Sequence, residues 1–420
     1  MEYNPGQEWY KRLHWQVFIA MVVGVLIGLS PAGGSFATYF GWLGTLFMSL
    51  LKMIIVPLVV TSIISGVASA GGGRVVGRMF GKTLTYYMVS SFLAALTGLI
   101  LFNLINPGRG YPITDTGTQA PELAKPESPA ELILDIVPTN FFASASTSDM
   151  LGIIFFCIVF GVAITTLPEG PRTRVTGLVD ALFKAMMALT SGIIKLLPIG
   201  VFGLMVTLVG ATGLKSFGNL AQYVAALGSG LFIHFFITLP LLLYFWGRVS
   251  PWKHAMNMRE PLLVAFSTSS SAATLPVTLK TVREKVGVSD RVSSFTLPMG
   301  ATVNMDGTAV MECVGALFIA QALGADIGFA TQVVVVLTAL LASIGAAAVP
   351  SAGLVVIFII LGAIGIGNNP EALLIVGAML SIDRPLDMAR TAVNVYSDSC
   401  AAAVVGKWEG EEEIDAEIRT

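Results

Sequence analysis

The chain has 420 residues, of which 55% are hydrophobic and 12% charged, with a mean hydropathy of +0.79. Soluble domains carry about 25% charged residues, so this composition excludes an ordinary soluble protein and predicts a polytopic membrane protein. A net charge of −2 without any Lys/Arg-rich run excludes a nucleic-acid-binding surface. The three cysteines, Cys157, Cys313 and Cys400, sit in apolar stretches and read as small buried hydrophobes, with no disulfide framework.

The first 14 residues are polar and of mixed charge. The apolar run that follows is long and lacks a small-residue cleavage site, so it reads as a first transmembrane helix and not as a removable signal. Residues 15–29 and 36–65 form the first two spans, each near or above the ~20 residues a crossing helix needs. Lys11 and Arg12 precede the first span and Arg74, Arg78 and Lys82 follow the second. The positive-inside rule therefore puts the N-terminus in the cytoplasm.

Residues 83–104 give a third span, and 107–131, rich in Pro, Gly, Thr and acidic residues, an external loop. Residues 132–167 hold a fourth span broken around 138–148, followed by a cytoplasmic loop at 168–174 with two arginines. Spans five and six are expected at 178–209 and 220–246. Residues 261–279 have basic residues on both flanks and a Ser/Thr-rich centre ending at Pro276, the pattern of a re-entrant hairpin rather than a span. Span seven covers 292–322. No charge occurs between Asp326 and Glu371. There, two apolar runs, 333–342 and 354–364, bracket a small-residue stretch at 343–353 and predict a second re-entrant hairpin, entering from outside. The last span, 373–405, ends inside at Lys407, before an acidic, solvated tail. Each hairpin has a small-residue tip followed by a proline, and each precedes a span bearing carboxylates. This is the pattern of an inverted repeat with its site at midplane between broken helices.

Residues 299–308, Met-Gly-Ala-Thr-Val-Asn-Met-Asp-Gly-Thr, make a poor membrane helix. Non-helical backbone survives in lipid only where protein or a watery cavity satisfies it, so the break marks a lined site. In the last span Asp383, Asp387, Arg390, Thr391, Asn394 and Asp398 fall mostly at spacings of three or four, on one helical stripe. An ionised group at the bilayer centre costs about 2.5–3.5 kcal/mol. Left unpaired, Asp306, Asp383, Asp387, Arg390 and Asp398 would together cost on the order of 15 kcal/mol. Four aspartates against one arginine require bound cations. An all-oxygen ligand set suits a hard ion, sodium or a proton, and Arg390 offers a planar clamp for a carboxylate. An anion channel is poorly supported by a single arginine. An intramembrane hydrolase is disfavoured because His14, His234 and His254 lie far from these residues in the chain.

Asn304-Met305-Asp306-Gly307-Thr308, the serine-rich first hairpin, Ser343-Ile344-Gly345 and the run from Asp387 to Asn394 together resemble the glutamate transporter family, the dicarboxylate/amino acid:cation symporters, which includes the excitatory amino acid transporters. The resemblance covers nearly the whole chain. It implies an all-α polytopic membrane protein with eight transmembrane helices, two re-entrant helical hairpins, inverted repeats, an elevator mechanism and a homotrimer in the inner (plasma) membrane, both termini cytoplasmic. In those terms 1–72 holds scaffold helices one and two, 73–105 helix three of the transport domain, 106–131 an external loop and 132–210 scaffold helices four and five. Residues 211–408 complete the transport domain, and 409–420 form a cytoplasmic acidic tail.

The implied function is sodium-coupled uptake of L-aspartate or L-glutamate, with two or three sodium ions and added coupling to a proton or potassium. The alternative is a proton-coupled glutamate or C4-dicarboxylate symporter. By matching motif, Arg390 and Thr308 would hold the substrate's side-chain carboxylate and Asp387 its α-amino group. Asn394 and the Ser270-Ser271 tip would hold the main-chain carboxylate, with Thr391, Val349 and Gly353 completing the site. Tyr87, Ser90, Ser91, Asn304 and Asp306 would form one sodium site, and Gly300, Asn394 and Asp398 a second. A third would use Thr302 and carbonyls of Met305, Ser343, Ile344 and Ala346.

Two departures from family patterns are informative. Archaeal members have an arginine where this chain has Ser269, and animal members have one at the position of Met388. Arg384, one turn before Met388, is expected to supply that charge, paired with Asp383. Sodium-only archaeal relatives have a glutamine where this chain has Glu312, whereas animal relatives that exchange protons and potassium have a glutamate. A desolvated carboxyl can carry a proton, so Glu312 is the expected proton or potassium coupling residue. Pro385 is expected to kink the last helix.

Overall fold

Apolar chain in lipid has no partner for its backbone groups except its own helix, and every regular element among the described residues is helical. The computed structural model describes residues 13–68, 74–111, 121, 123, 137–147, 150–214, 216–343 and 352–415. Lys11, Arg12 and most of the expected external loop lie outside them.

The helices are α1 (Leu13–Gly28), α2 (Gly33–Ala68), α3 (Arg74–Ile105), α4 (Phe141–Thr147), α5 (Met150–Thr165), α6 (Glu169–Ile194) and α7 (Leu197–Thr212). Next, α8 (Ser216–Ile233) passes through a π-helical turn, His234–Thr238, into α9 (Leu239–Gly247), and α10 (Pro251–Asn257) follows. The remainder are α11 (Arg259–Thr268), α12 (Ser271–Thr281), α13 (Asp290–Val303), α14 (Asp306–Ala322), α15 (Phe329–Ser343), α16 (Ala352–Ala363) and α17 (Pro370–Trp408). Among the described residues, five stretches are long and apolar enough to cross a membrane: Gly33–Ala68, Arg78–Ile105, Glu169–Ile194, Phe217–Gly247 and Asp290–Ala322.

Two sets of helices pack internally. One consists of α1, α2, α5, α6 and α7; the other gathers α3, α8, α9 and α11–α17. They meet where α17 lies on α7, and where the Lys52 ammonium of α2 donates to the Gly367 carbonyl at 2.8 Å. Small residues bring α7 against α2. A Cβ at Gly203 would stand 2.6 Å from the Gly44 nitrogen, and one at Gly44 2.7 Å from Leu204 Cγ, so the backbones touch there.

Residues 178–209 do not form one span. Pro198, in the first turn of α7, lacks the N–H that would continue the helix, and Lys195 and Leu196 separate α6 from α7. The expected loop at 168–174 is instead the start of α6: Pro168 is extended at the N-cap and Glu169 opens the first turn. The expected first hairpin is a helix–turn–helix, with α11 ending at Ser269 in the left-handed region (φ 52°) and the Ser270 hydroxyl capping α12 by accepting from the Ala273 N–H. The expected break in span seven separates α13 from α14. In α17 the helix continues through Pro385.

The acidic tail is only partly solvated over residues 409–415: Glu412 and Glu413 are exposed, while Ile414 and Asp415 are buried. It folds back as a strap, because the ends of α3 and α13 present cations and capping donors to it. The Glu409 carboxylate accepts from Arg78 (Nη2, 2.6 Å), Lys82 (2.7 Å) and Arg291 (3.3 Å). Glu411 accepts from the Ser289 N–H at 3.0 Å, and Ile414 is buried. Asp415 pairs with His254 Nδ1 at 2.6 Å and accepts from Asn257 Nδ2 at 2.8 Å, while its own N–H donates to the Val286 carbonyl.

Hydrogen bonds from Arg78, aided by Lys82, hold the Glu409 carboxyl down at about 2, below its ordinary 4.5. A lowered value means that the ionised form stabilises the folded state. That contribution is complete above about pH 4.5 and is lost as pH falls toward 2. Glu409→Gln is expected to lower the melting temperature at neutral pH and to flatten its decline across that acid range, read by thermal melts at a series of pH values. An unchanged melting temperature would show that the strap is idle.

Candidate functional site

Between Val303 and Asp306 the chain leaves the helix: Asn304 (φ −110°, ψ 97°) is extended, and Met305 (φ −125°, ψ 63°) is also non-helical. Asp306 then opens α14, where the helix dipole favours an anion. The Gly307 N–H, one of the donors a helix start leaves free, donates to Asn394 Oδ1 of α17 at 2.8 Å. A Cβ at Gly307 would lie 2.6 Å from the Arg390 carbonyl oxygen, so glycine there lets α14 touch α17.

Asp306 is fully buried, and donors from three elements surround its carboxylate. Oδ1 accepts from Ser91 at 2.6 Å and from Ser90 at 3.3 Å, both on α3. Oδ2 accepts from the Ser397 hydroxyl of α17 at 2.6 Å and faces His234 Nε2 at 3.0 Å. Ser90 also reaches Asn304 Oδ1 at 3.3 Å. Asn304 turns its amide nitrogen the other way, to Ser397 and to Asp398 Oδ1, both at 2.9 Å. Ser90, Ser91, Asn304 and Asp306 therefore converge as expected. Tyr87 stands one step aside. Its hydroxyl donates to the Thr296 carbonyl at 2.8 Å and lies where a Cβ on Gly300 would approach it to 2.6 Å, beside Asp398. Gly300 and Asp398 are thus brought together, and the Asn304 side chain joins the two groups. These oxygens form a donor set suited to a hard cation.

The histidine expectation was wrong. His234 is 72 positions from Asp306, yet a π turn, a feature often found at functional sites, delivers it there. Ser397 was also missed, although it continues the α17 stripe three positions after Asn394.

On the other side of the α14 start, Arg390 is 2% exposed. Its Nη2 donates to Asp387 Oδ1 and its Nη1 to Asp383 Oδ1 at 3.4 Å. The guanidinium thus spans two carboxylates of its own helix. Arg384 pairs with Asp387 Oδ2 at 3.4 Å and not with Asp383 as expected, because Asp383 faces Arg390. A Cβ at Gly353 would lie 3.1 Å from Arg390 Nη1 and 3.4 Å from Thr308 Cγ2, so hairpin, arginine and threonine share one space. Asn394 Nδ2 reaches Thr308 Oγ1 at 3.4 Å. Ser270 and Ser271 sit at the tip of the hairpin that packs on α17. The Thr391 hydroxyl bonds back to the Asp387 carbonyl at 2.8 Å.

Of the third expected sodium set, the Thr302 hydroxyl donates to the Met299 carbonyl and that of Ser343, the last residue of α15, to the Leu340 carbonyl. Met305 lies in the α13–α14 break. Ile344, Ala346 and Val349 lie outside the described residues. Glu312, one turn after Thr308 on α14, is fully buried, and neither carboxyl oxygen has a hydrogen-bond partner among the described residues.

The chain is similar to characterised proteins over nearly its whole length. The chain is 36% identical to the proton/sodium-glutamate symport protein of Bacillus subtilis over 403 residues, covering 94% of this chain and 92% of that protein. It is 32% identical to the proton/glutamate-aspartate symporter of Escherichia coli, covering 94% and 93%. It is 33% identical to excitatory amino acid transporter 3 of Mus musculus, covering 96% and 88%. Residues 13–408 match a single family description, and with these relatives they show that the chain belongs to the sodium:dicarboxylate symporter family.

Proposed function

We propose that the chain is a secondary active symporter that takes up L-aspartate or L-glutamate with sodium, adds a proton or potassium through Glu312, and works by an elevator movement as a homotrimer. The observation that carries the substrate class is the buried ion pair of Arg390 and Asp387 beside Thr308 and Gly353. A zwitterionic acidic substrate can open that pair without leaving a bare charge. Its side-chain carboxylate takes the Arg390 fork, its ammonium takes Asp387, and Asp383 stays on Arg390. A C4-dicarboxylate brings no ammonium to replace Arg390 on Asp387, whose other ion pair, with Arg384, is partly exposed. The names of the three relatives, all glutamate, glutamate-aspartate or excitatory amino acid carriers, support the same class.

Cations follow from the same charges. Asp306 and Asp398 are buried with neutral donors and His234 around them, so loading with sodium offsets charge that the bilayer would otherwise penalise. Glu312 supports the added coupling, because a buried carboxyl without hydrogen-bond partners among the described residues is a place for a proton. The elevator reading draws support from the two internally packed helix sets, which would slide past each other along the surface where α17 lies on α7.

Reconstituted vesicles with sodium, proton and potassium gradients imposed separately test this reading. Labelled aspartate and glutamate are expected to accumulate under an inward sodium gradient and succinate not; succinate accumulation, or uptake indifferent to sodium, contradicts it. Arg390→Cys removes one partner of a buried charge pair and is expected to cost about 2–5 kcal/mol of acidic-substrate binding, measured as lost uptake of both amino acids. Glu312→Gln is expected to retain substrate binding while uptake loses its response to proton and internal potassium gradients. Unchanged responses would remove Glu312 from coupling.

A further inference from the structure

We infer that His234 is a positioning residue of the cation site, one that fixes the Asp306 carboxylate so that its other oxygen is presented to sodium. The inference rests on the sodium coupling proposed above. The π turn His234–Thr238 interrupts the regular helical spacing, and the Leu239 N–H reaches back to the His234 carbonyl. His234 ends wholly buried while Phe232 and Phe236, two residues either side, are 60% and 59% exposed. Next to it the Phe235 ring stacks on Tyr396, centroids 4.5 Å apart, which anchors the turn to the stretch of α17 that carries Ser397.

His234 Nε2 stands 3.0 Å from Asp306 Oδ2, and Nδ1 has no partner among the described residues. The ring is therefore held in this site by one polar contact, in which a carboxylate calls for the proton to sit on Nε2. The other neighbours of Asp306 are hydroxyls, which both donate and accept. Ser90 and Ser91 can rotate their hydrogens away and offer lone pairs to a cation. A ring N–H cannot. It commits Oδ2 to the protein and leaves Oδ1, Asn304 Oδ1 and the two α3 hydroxyls as the converging oxygens. Partners that orient a metal ligand in this way are typically worth about 10–100-fold in affinity.

The test compares wild type with His234→Leu, His234→Gln and His234→Asn by two measurements: the sodium concentration for half-maximal glutamate uptake in proteoliposomes, and the sodium-dependent rise in melting temperature of the purified protein. His234→Leu is expected to raise the half-maximal sodium concentration about 10–100-fold and to shrink the sodium-dependent thermal shift, with a smaller effect on uptake at saturating sodium. His234→Gln, whose amide nitrogen occupies the place of Nε2, is expected to restore both, and the shorter His234→Asn to restore neither. Should His234→Leu fail to fold, the contrast between Gln and Asn carries the test. Wild-type sodium dependence in His234→Leu, or His234→Gln no better than Asn, overturns the positioning role. A wild type without sodium dependence overturns the coupling itself, and the positioning role with it.

Discussion

A carboxylate cut off from water must be surrounded by donors, and the arrangement of this chain turns on how that requirement is met at Asp306. Its two oxygens receive Ser90 and Ser91 from α3, Ser397 from α17 and His234 from the turn after α8. One side chain therefore holds together elements that are distant in sequence. The break between α13 and α14 is part of the same constraint, because it frees the Gly307 N–H for Asn394 and places Asp306 at a helix start. Asn304 then extends the network to Asp398. Within a low dielectric such a network is rigid when satisfied and costly when incomplete, which suits a site whose occupancy must be all or none.

The Arg390 cluster meets the same requirement by charge rather than by neutral donors. Asp383 and Asp387 lie two turns and one turn before Arg390 and share its guanidinium, and Asp387 also meets Arg384. Breaking a buried pair without replacing both partners is expensive. The site therefore favours a ligand that carries both signs in the right order. Thr308, next to this cluster, is two residues after Asp306, so a two-residue step along α14 separates the proposed substrate side from the proposed cation side.

Much of this was legible in the sequence where one local rule sufficed. Asn304, Asp306 and Gly307 in an apolar run announced the α13–α14 break, and spacings of three and four in α17 announced the stripe from Asp383 to Asp398. The Ser-rich tip before Pro276 announced the first hairpin. What was not legible depended on tertiary choices. The approach of His234 to Asp306 needs a π turn that no composition cue reveals. The preference of Arg384 for Asp387 follows from Asp383 being taken by Arg390. The strap at 409–415 looked like a solvated acidic tail because its cationic partners, Arg78, Lys82 and Arg291, come from elements more than a hundred residues away. The division of residues 178–209 was not read either, although Pro198, in the first turn of α7, is a local signal for it.

The central claim is that buried acid, not buried base, sets the coupling. Among the described residues, Asp306, Asp383, Asp387 and Asp398 are buried against one buried arginine, Arg390, which leaves a formal surplus of three negative charges before Glu312 and an acidic substrate are counted. The proposed sodium symport would carry more than one cation with each substrate, and net positive charge inward with it. Uptake of labelled glutamate into proteoliposomes at fixed ion gradients, with the membrane potential varied, measures this directly. The charge balance predicts faster uptake when the interior is negative and slower uptake when it is positive. A rate indifferent to the potential, or faster with a positive interior, would contradict it.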